Sequence, residues 1–370
     1  MITRNGRVFL ALFFAVALSL SAFGQGRRNQ QQQQQQQQVQ AAQQGVGPVP
    51  QSKDEMDAFQ NLQKEQAPDK KVELAQAFIA KYPNSDFVQY AHSFSLASYS
   101  QMGKFKEAVA EGDESINAIV KFGEKLQAKA DADSKLSDKD KEAARKKDKN
   151  VQFIDKDSAQ YKTYMSQSED RILQIHQAII QFYQQLNDAP KMMEWGEKAL
   201  GFKPDDVTTL TMLSNVMAER PPTNEAEKAK QMKRAEELAD QALAALPGFL
   251  SSPEGSKLDA AAKADLTAQM HYTLGLIYLH QKRLSSSEQE LLTAIKSKSN
   301  DPIAYYRLGI AYVQDMKNDL GMEALGKSVF LKGVSEAGAR DILKQLWVNK
   351  NKSEQGMEDY IKASGAKIGQ

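Results

Sequence analysis

From Asp54 onward apolar residues return every three or four positions, in segments of about a dozen residues parted by Pro, Gly or short polar stretches. Runs of β-branched residues are scarce, so the pattern predicts helices along the whole body and no sheet. Two segments share one string: Tyr272-Thr-Leu-Gly-Leu-Ile-Tyr278 and Tyr306-Arg-Leu-Gly-Ile-Ala-Tyr312 place Leu274-Gly275 and Leu308-Gly309 34 residues apart. Asp301-Pro302 marks a helix start, with Asp able to accept from free amides and Pro where no amide bond is lost. One helix hairpin of this length cannot cover its apolar face, so neighbours must stack to make a core.

Leu-Gly-x-x-Tyr at a period of 34 resembles the first helix of the tetratricopeptide repeat (TPR). The frame extends upstream, with Tyr99 at the tyrosine position and Ala108 opening the second helix, then Tyr183 with Ala199 and a stop at Pro204. A further unit starts at Val207, is lengthened by Arg220-Pro-Pro-Thr-Asn-Glu225, and continues through Ala235, Ala239 and Ala242 to Pro247. The first unit is degenerate, and its Phe78-Ile-Ala-Lys-Tyr-Pro-Asn-Ser85 is similar to the second-helix ending of bacterial envelope-located members. Six units fall between about Asp54 and Ser335, followed by a capping helix from Glu336 to Asn349. The resemblance implies an all-α fold, a right-handed superhelical solenoid of antiparallel helix pairs, with function on the surfaces that stacking leaves open.

The remaining segments set the domain boundaries. Residues 1–24 read as a cleavable signal peptide: Arg4 and Arg7 precede an apolar run from Val8 to Leu20, then Ala22-Phe23-Gly24. Residues 25–52, with glutamine unbroken from Gln30 to Gln38, read as a disordered tether, a spacer rather than a self-associating tail. Units one and two take 53–122, and 123–162 is a charged insertion expected to project as a helical hairpin. Units three to six take 163–335, and 336–370 forms the cap and tail. Gly248 to Ser256, between Pro247 and the residues after Pro253, is expected to be a loop.

Composition narrows the chemistry. Lys and Arg number 48 against 47 Asp and Glu, which leaves no basic footprint for nucleic acid. The absence of cysteine removes disulfides, thiol nucleophiles, Cys-ligated zinc and a lipidated anchor, so membrane contact would run through partners. His92, His176 and His271 share the fourth position of the first helix, where Tyr305 stands in the last unit, so their spacing is explained by packing and no metal or cofactor is expected. His280 is the histidine expected to reach solvent. No Gly-x-Ser-x-Gly, His-Glu-x-x-His or Gly-x-Gly-x-x-Gly string occurs.

One phosphate-loop string does occur, Gly321-Met-Glu-Ala-Leu-Gly326-Lys327-Ser328. Phosphate binding there needs a strand before the loop, whereas Ala311 to Leu320 predict the end of a helix and a polar turn. Met322 to Leu325 are strong helix formers, so the segment is expected to be helical and to bind no nucleotide.

The concave face of the implied solenoid gives the candidate partner groove: Gln177 and Gln181 in unit three, Asn215 in unit four, Tyr272 and His280 in unit five, and Tyr306 and Arg307 in unit six. The amide-rich part suits extended peptide backbone and the aromatic part suits an anchoring side chain. Of the Lys/Asn/Arg clamp by which chaperone-binding relatives hold a C-terminal carboxylate, only Asn215 and Arg307 fall at comparable positions. The expected function is therefore a non-catalytic, periplasmic or secreted scaffold that binds protein or peptide partners. The alternatives are an accessory subunit of an outer-membrane assembly or secretion machine, and a nucleotide-binding protein using the phosphate-loop string.

Overall fold

The computed structural model describes residues 46–148, 151–253 and 255–369. The signal segment and the glutamine run lie outside the described residues. Among the described residues there are fifteen α-helices and no strand. They form two compact units, 46–203 and 204–369, each built of helix hairpins that pack in chain order.

In the first unit α1 (Lys53–Lys64) pairs with α2 (Pro68–Lys81), α3 (Val88–Gln101) with α4 (Phe105–Ser134), and α6 (Ala159–Gln185) with α7 (Ala189–Phe202). The short α5 (Asp138–Lys147) lies between the second and third pairs. In the second unit the pairs are α8 (Val207–Glu219) with α9 (Glu225–Ser251), α10 (Ala260–His280) with α11 (Leu284–Ser297), and α12 (Pro302–Gln314) with α13 (Asn318–Leu331). First helices of successive pairs also meet, α8 on α10 and α10 on α12, as stacked repeats require.

The turn inside four of the six pairs is the same object. The amide of Lys104 bonds the Tyr99 carbonyl, Asp188 that of Tyr183, Arg283 that of Tyr278 and Lys317 that of Tyr312, all at 2.8–2.9 Å. Each bond closes over a left-handed residue: Gly103, Asn187, Lys282 and Met316, with φ between 56° and 70°. This is the six-to-one capping bond that ends a helix by reversing the chain in one residue. The repeating tyrosine position thus marks the last turn of each first helix.

In these four pairs one small and one large residue stand where the helices cross. In the last two pairs the small residue is on the first helix: a Cβ at Gly275 would lie 2.6 Å from Leu291 Cγ, and one at Gly309 would lie 2.6 Å from Leu325 Cγ. Repeat two is reversed, with the glycine on the second helix, where a Cβ at Gly112 would lie 3.0 Å from Leu96 Cδ1 of the first. In repeat three the corresponding positions are the buried Ile180 and Gly196, the same reversed sense. The second helix supplies another small residue below, Ser287, whose hydroxyl donates to the Gly275 carbonyl at 2.7 Å, and Gly321, whose Cβ would lie 3.3 Å from the Gly309 carbonyl.

The charged insertion extends the hairpin of repeats two and three. Helix α4 runs to Ser134, and a return segment reaches Ser158, which caps α6. Its base is not a bare solvated stalk: Phe122, Leu126, Ala130, Ile154 and Tyr164 form an apolar cluster with Val46. Val46 to Pro48 are buried, so this part of the segment read as a tether is packed, while Val49, Gln51 and Ser52 after it are exposed. The sequence reading missed this because a single valine in a polar tract carries no periodicity. Asp133 accepts from the Ile154 amide at 2.8 Å and from Lys129 Nζ at 2.7 Å, tying the return segment to α4.

Two further boundaries differ from expectation. Helix α9 continues through Pro247 to Ser251, so Pro247 does not stop it, and Gly248 to Ser251 are helical rather than loop. The missing proline amide costs one ladder bond, and Ser251 Oγ donates to the Pro247 carbonyl at 3.0 Å in the last turn. A 3-10 turn at Gly255–Lys257 then leads into α10. At the other end α14 (Glu336–Asn351) is the expected cap, and the tail holds one more helix, α15 (Met357–Gly365). Both pack on α13, around Met322, Leu325, Val329, Leu343 and Ile361.

Candidate functional site

The candidate groove residues fall in both compact units. In the first, Gln174, Gln177, Gln181 and Gln184 follow one another at three- and four-residue steps on α6 and so share a face. Gln174 is exposed and the other three are half-buried, which makes an uncharged strip of amides. The opposite face of α6 is apolar and buried through Ile172, Ile175, Ile179 and Phe182.

In the second unit the candidates are drawn inward. Tyr272 is 6% exposed, and its hydroxyl donates to Glu219 at the end of α8. Arg307 Nη2 donates to the other Glu219 oxygen at 3.0 Å. Burial works against the Arg307 charge, while the Tyr272 and Glu219 oxygens more than restore it; burial and then Glu219 keep the Tyr272 hydroxyl protonated well above its usual range. The three residues pin α8, α10 and α12 together. Asn215 is buried and donates to Thr273 Oγ1 at 3.2 Å. Tyr306 packs against the cluster formed with α14 and α15, and its ring lies 5.6 Å from the Arg307 guanidinium carbon.

His280, expected to face solvent, is half-buried and its Nε2 donates to the Ala218 carbonyl at 3.0 Å. Burial lowers its pKa from the ordinary 6.5. It borders an open cleft of about 400 Å³ with Glu225, Lys228, Ala229, Met232 and Gln281. The other histidines all meet the residue nineteen positions on, in the second helix of their own pair: His92 Nδ1 with Glu111 at 2.7 Å, His271 Nδ1 with Glu290 at 2.6 Å, and His176 with the Trp195 ring at 5.6 Å. A shared packing frame accounts for their spacing. No cluster of three or more His, Asp or Glu suited to a metal occurs among the described residues.

The phosphate-loop string lies wholly within α13, where its amides belong to the helical ladder. Lys327 Nζ pairs with Glu323 at 3.0 Å, and Ser328 Oγ donates to the Pro302 carbonyl at 2.7 Å. The Ser328 hydroxyl is therefore taken up in packing α13 on α12, and Lys327 pairs along its own helix, with no loop amides beside it to cradle a phosphate. Sequence reasoning placed Arg307 in the groove but did not find Glu219 as its partner, because residues 88 apart meet only after two repeats have stacked.

No family model and no curated protein matches the chain. Among solved structures, BtubC (BKLC) from P. vanneervenii is similar over 80% of this chain and 93% of its own, with 13% identity and a TM-score of 0.38. The TPR2AB domain of yeast Sti1, solved in complex with pHSP90, is similar over 84% of this chain and 95% of its own, with 14% identity and a TM-score of 0.24. Likenesses that slight carry no argument about this chain. What decides the architecture is internal: equivalent glycines 34 residues apart meet equivalent leucines at the same distance, below the same capped turn. The chain is a TPR-like helical repeat protein. No described helix is long and apolar enough to cross a membrane.

Proposed function

We propose that this chain is a non-catalytic scaffold of the bacterial cell envelope that binds partner proteins through the first-helix face of its repeats. The observation that carries this reading is the amide strip of Gln174, Gln177, Gln181 and Gln184 on α6. A helix rises about 1.5 Å per residue, so these side chains recur at steps of about 5 Å along one uncharged face, and an amide is a group that can both donate to and accept from an extended backbone. The aromatic and arginine candidates of the second unit support the framework beside α8, α10 and α12. The envelope location rests on the amino-terminal signal pattern and the Phe78 to Ser85 ending.

The test is affinity capture from the envelope fraction of the source cell, using the chain from Gln25 onward as bait. Partners retained by the parent chain and lost with Gln177→Ala/Gln181→Ala are the expected result. Recovery of the same partners by that variant would move the site off α6. Fractionation decides location separately: a chain retaining residues 1–24 in the cytosol removes the envelope reading.

A further inference from the structure

On the second-helix side of the last two pairs, α11, α12 and α13 leave a cleft of about 470 Å³ that the residues after α15 border. Its floor is apolar: Ile295, Leu308 and the rings of Tyr305 and Tyr312. Leu292 and Leu320 also line it while remaining 43% and 48% exposed, so the apolar surface continues outward along both edges. The charged lining is Lys296, Lys327 and Lys367 against a single acid, Glu323.

That glutamate is shared. Its two oxygens take Lys327 at 3.0 Å and Lys367 at 3.2 Å, while Lys296 is exposed with no carboxylate in salt-bridge reach among the described residues. Burial alone would raise the Glu323 pKa, but the two lysines hold it below its ordinary value. The cleft therefore keeps a surplus of positive charge over an apolar floor. The lysines come from α11, from α13 and from beyond α15, spread around the floor rather than gathered at one point. One anionic head group cannot meet all three, whereas carboxylates spaced along a chain can. The volume lies within the range of pockets that hold a few side chains, and the open leucine edges fit a segment passing across rather than a chain end enclosed.

We infer that this cleft binds an extended segment of a partner protein in which acidic and aliphatic residues are intermixed, the aliphatic side chains on the Ile295–Leu308 floor and the carboxylates on Lys296, Lys327 and Lys367. The ligand class rests on the reading of the chain as a protein-binding scaffold, but the site is separate from the amide strip on α6.

The test is fluorescence anisotropy with the chain from Gln25 onward and a labelled peptide of intermixed leucine and glutamate. Saturable binding is expected, weakened about tenfold or more by Lys296→Glu/Lys367→Glu and by added salt. Leu292→Ser/Leu320→Ser is expected to weaken it several-fold, and Glu323→Gln, which releases two lysines, to tighten it. All these side chains are at least partly exposed, and an unchanged thermal melt shows that each variant is folded. Gln177→Ala/Gln181→Ala is expected to leave this binding unchanged, so failure here and failure of the α6 reading are told apart. The inference is overturned if the peptide does not bind, if a serine–glutamate peptide binds equally well, if the lysine reversals leave affinity unaltered, or if dodecanoate rather than the peptide fills the cleft.

Discussion

Residues 46–203 and 204–369 solve one packing problem in opposite senses. In repeats five and six the first helix carries the glycine and the second helix the leucine, Gly275 with Leu291 and Gly309 with Leu325. In repeat two the first helix carries Leu96 and the second Gly112, and repeat three follows with Ile180 and Gly196. The crossing needs a fixed total volume, and either helix can provide it. The arginines that join first helices of different repeats differ as well. Arg307 meets a carboxylate, Glu219, whereas Arg171 donates to the neutral Gln89 at 3.0 Å and lies over the Tyr90 ring at 4.4 Å.

The largest expected effect breaks the second contrast. Arg307→Ala leaves Glu219, whose side chain is 10% exposed, buried beside no cation and should cost about 3 kcal/mol in denaturant unfolding. Arg171→Ala should cost only about 1–2 kcal/mol, because its partner is an amide. Equal losses would show that the carboxylate is solvated.

Next comes the volume exchange. Gly309→Leu drives a branched side chain into Leu325, which is fully buried, and should cost about 2–3 kcal/mol. Gly309→Leu/Leu325→Gly recreates the arrangement of repeat two and should recover at least half of that loss. A double variant no more stable than the single one would show that the two senses are not interchangeable.

The pH response follows from the buried imidazoles. Burial holds His176 below the ordinary 6.5, as it does His280. Between the folded-state value and 6.5 the unfolded chain binds more protons than the folded one, so stability falls as pH drops through that window. Melts recorded on acidification should show the fall, and His176→Phe should flatten it. An unchanged slope in that variant would assign the response to other groups.

The smallest effect sharpens the feature both units share. Met316 is left-handed at φ 58° and 83% exposed, whereas the equivalent turn residue of repeat two is Gly103. Met316→Gly should stabilise the chain by about 0.5–1 kcal/mol, since glycine adopts that conformation without a Cβ penalty. No gain in melting temperature would mean that the unfolded-state entropy of glycine cancels the relief.

The parts of this fold legible in the sequence were those set by local spacing. Leu274-Gly275 and Leu308-Gly309 gave the period, Asp301-Pro302 gave a helix start that the structure caps through Asp301 to Ile303 and Ala304, and the histidine positions marked a packing layer. The reversed pairs were half visible: Ala108, read as the small residue that opens the second helix, is fully buried where Ser287 and Gly321 stand in the later pairs, but the exchange of Leu96 with Gly112 went unread. Pro247 misled because a helix end and a tolerated interior proline look alike in sequence. The lysine cleft was invisible, because Lys296, Lys327 and Lys367 belong to three elements and no spacing rule joins them.

An array of like hairpins has no intrinsic length: whatever face lets α13 receive α14 and α15 would equally receive another copy. At Gly326 a Cβ would lie 2.9 Å from Ser364 Oγ, and Gly365 admits the ring of Phe330, so α15 seats by small residues matched to this one end. Helices α14 and α15 cover the face of α13 that a further hairpin would otherwise meet. Without α15, Met322 and Val329 would lose part of their cover, and the exposed end would be a head-to-tail adhesive that does not close on itself, the geometry that leads to filaments.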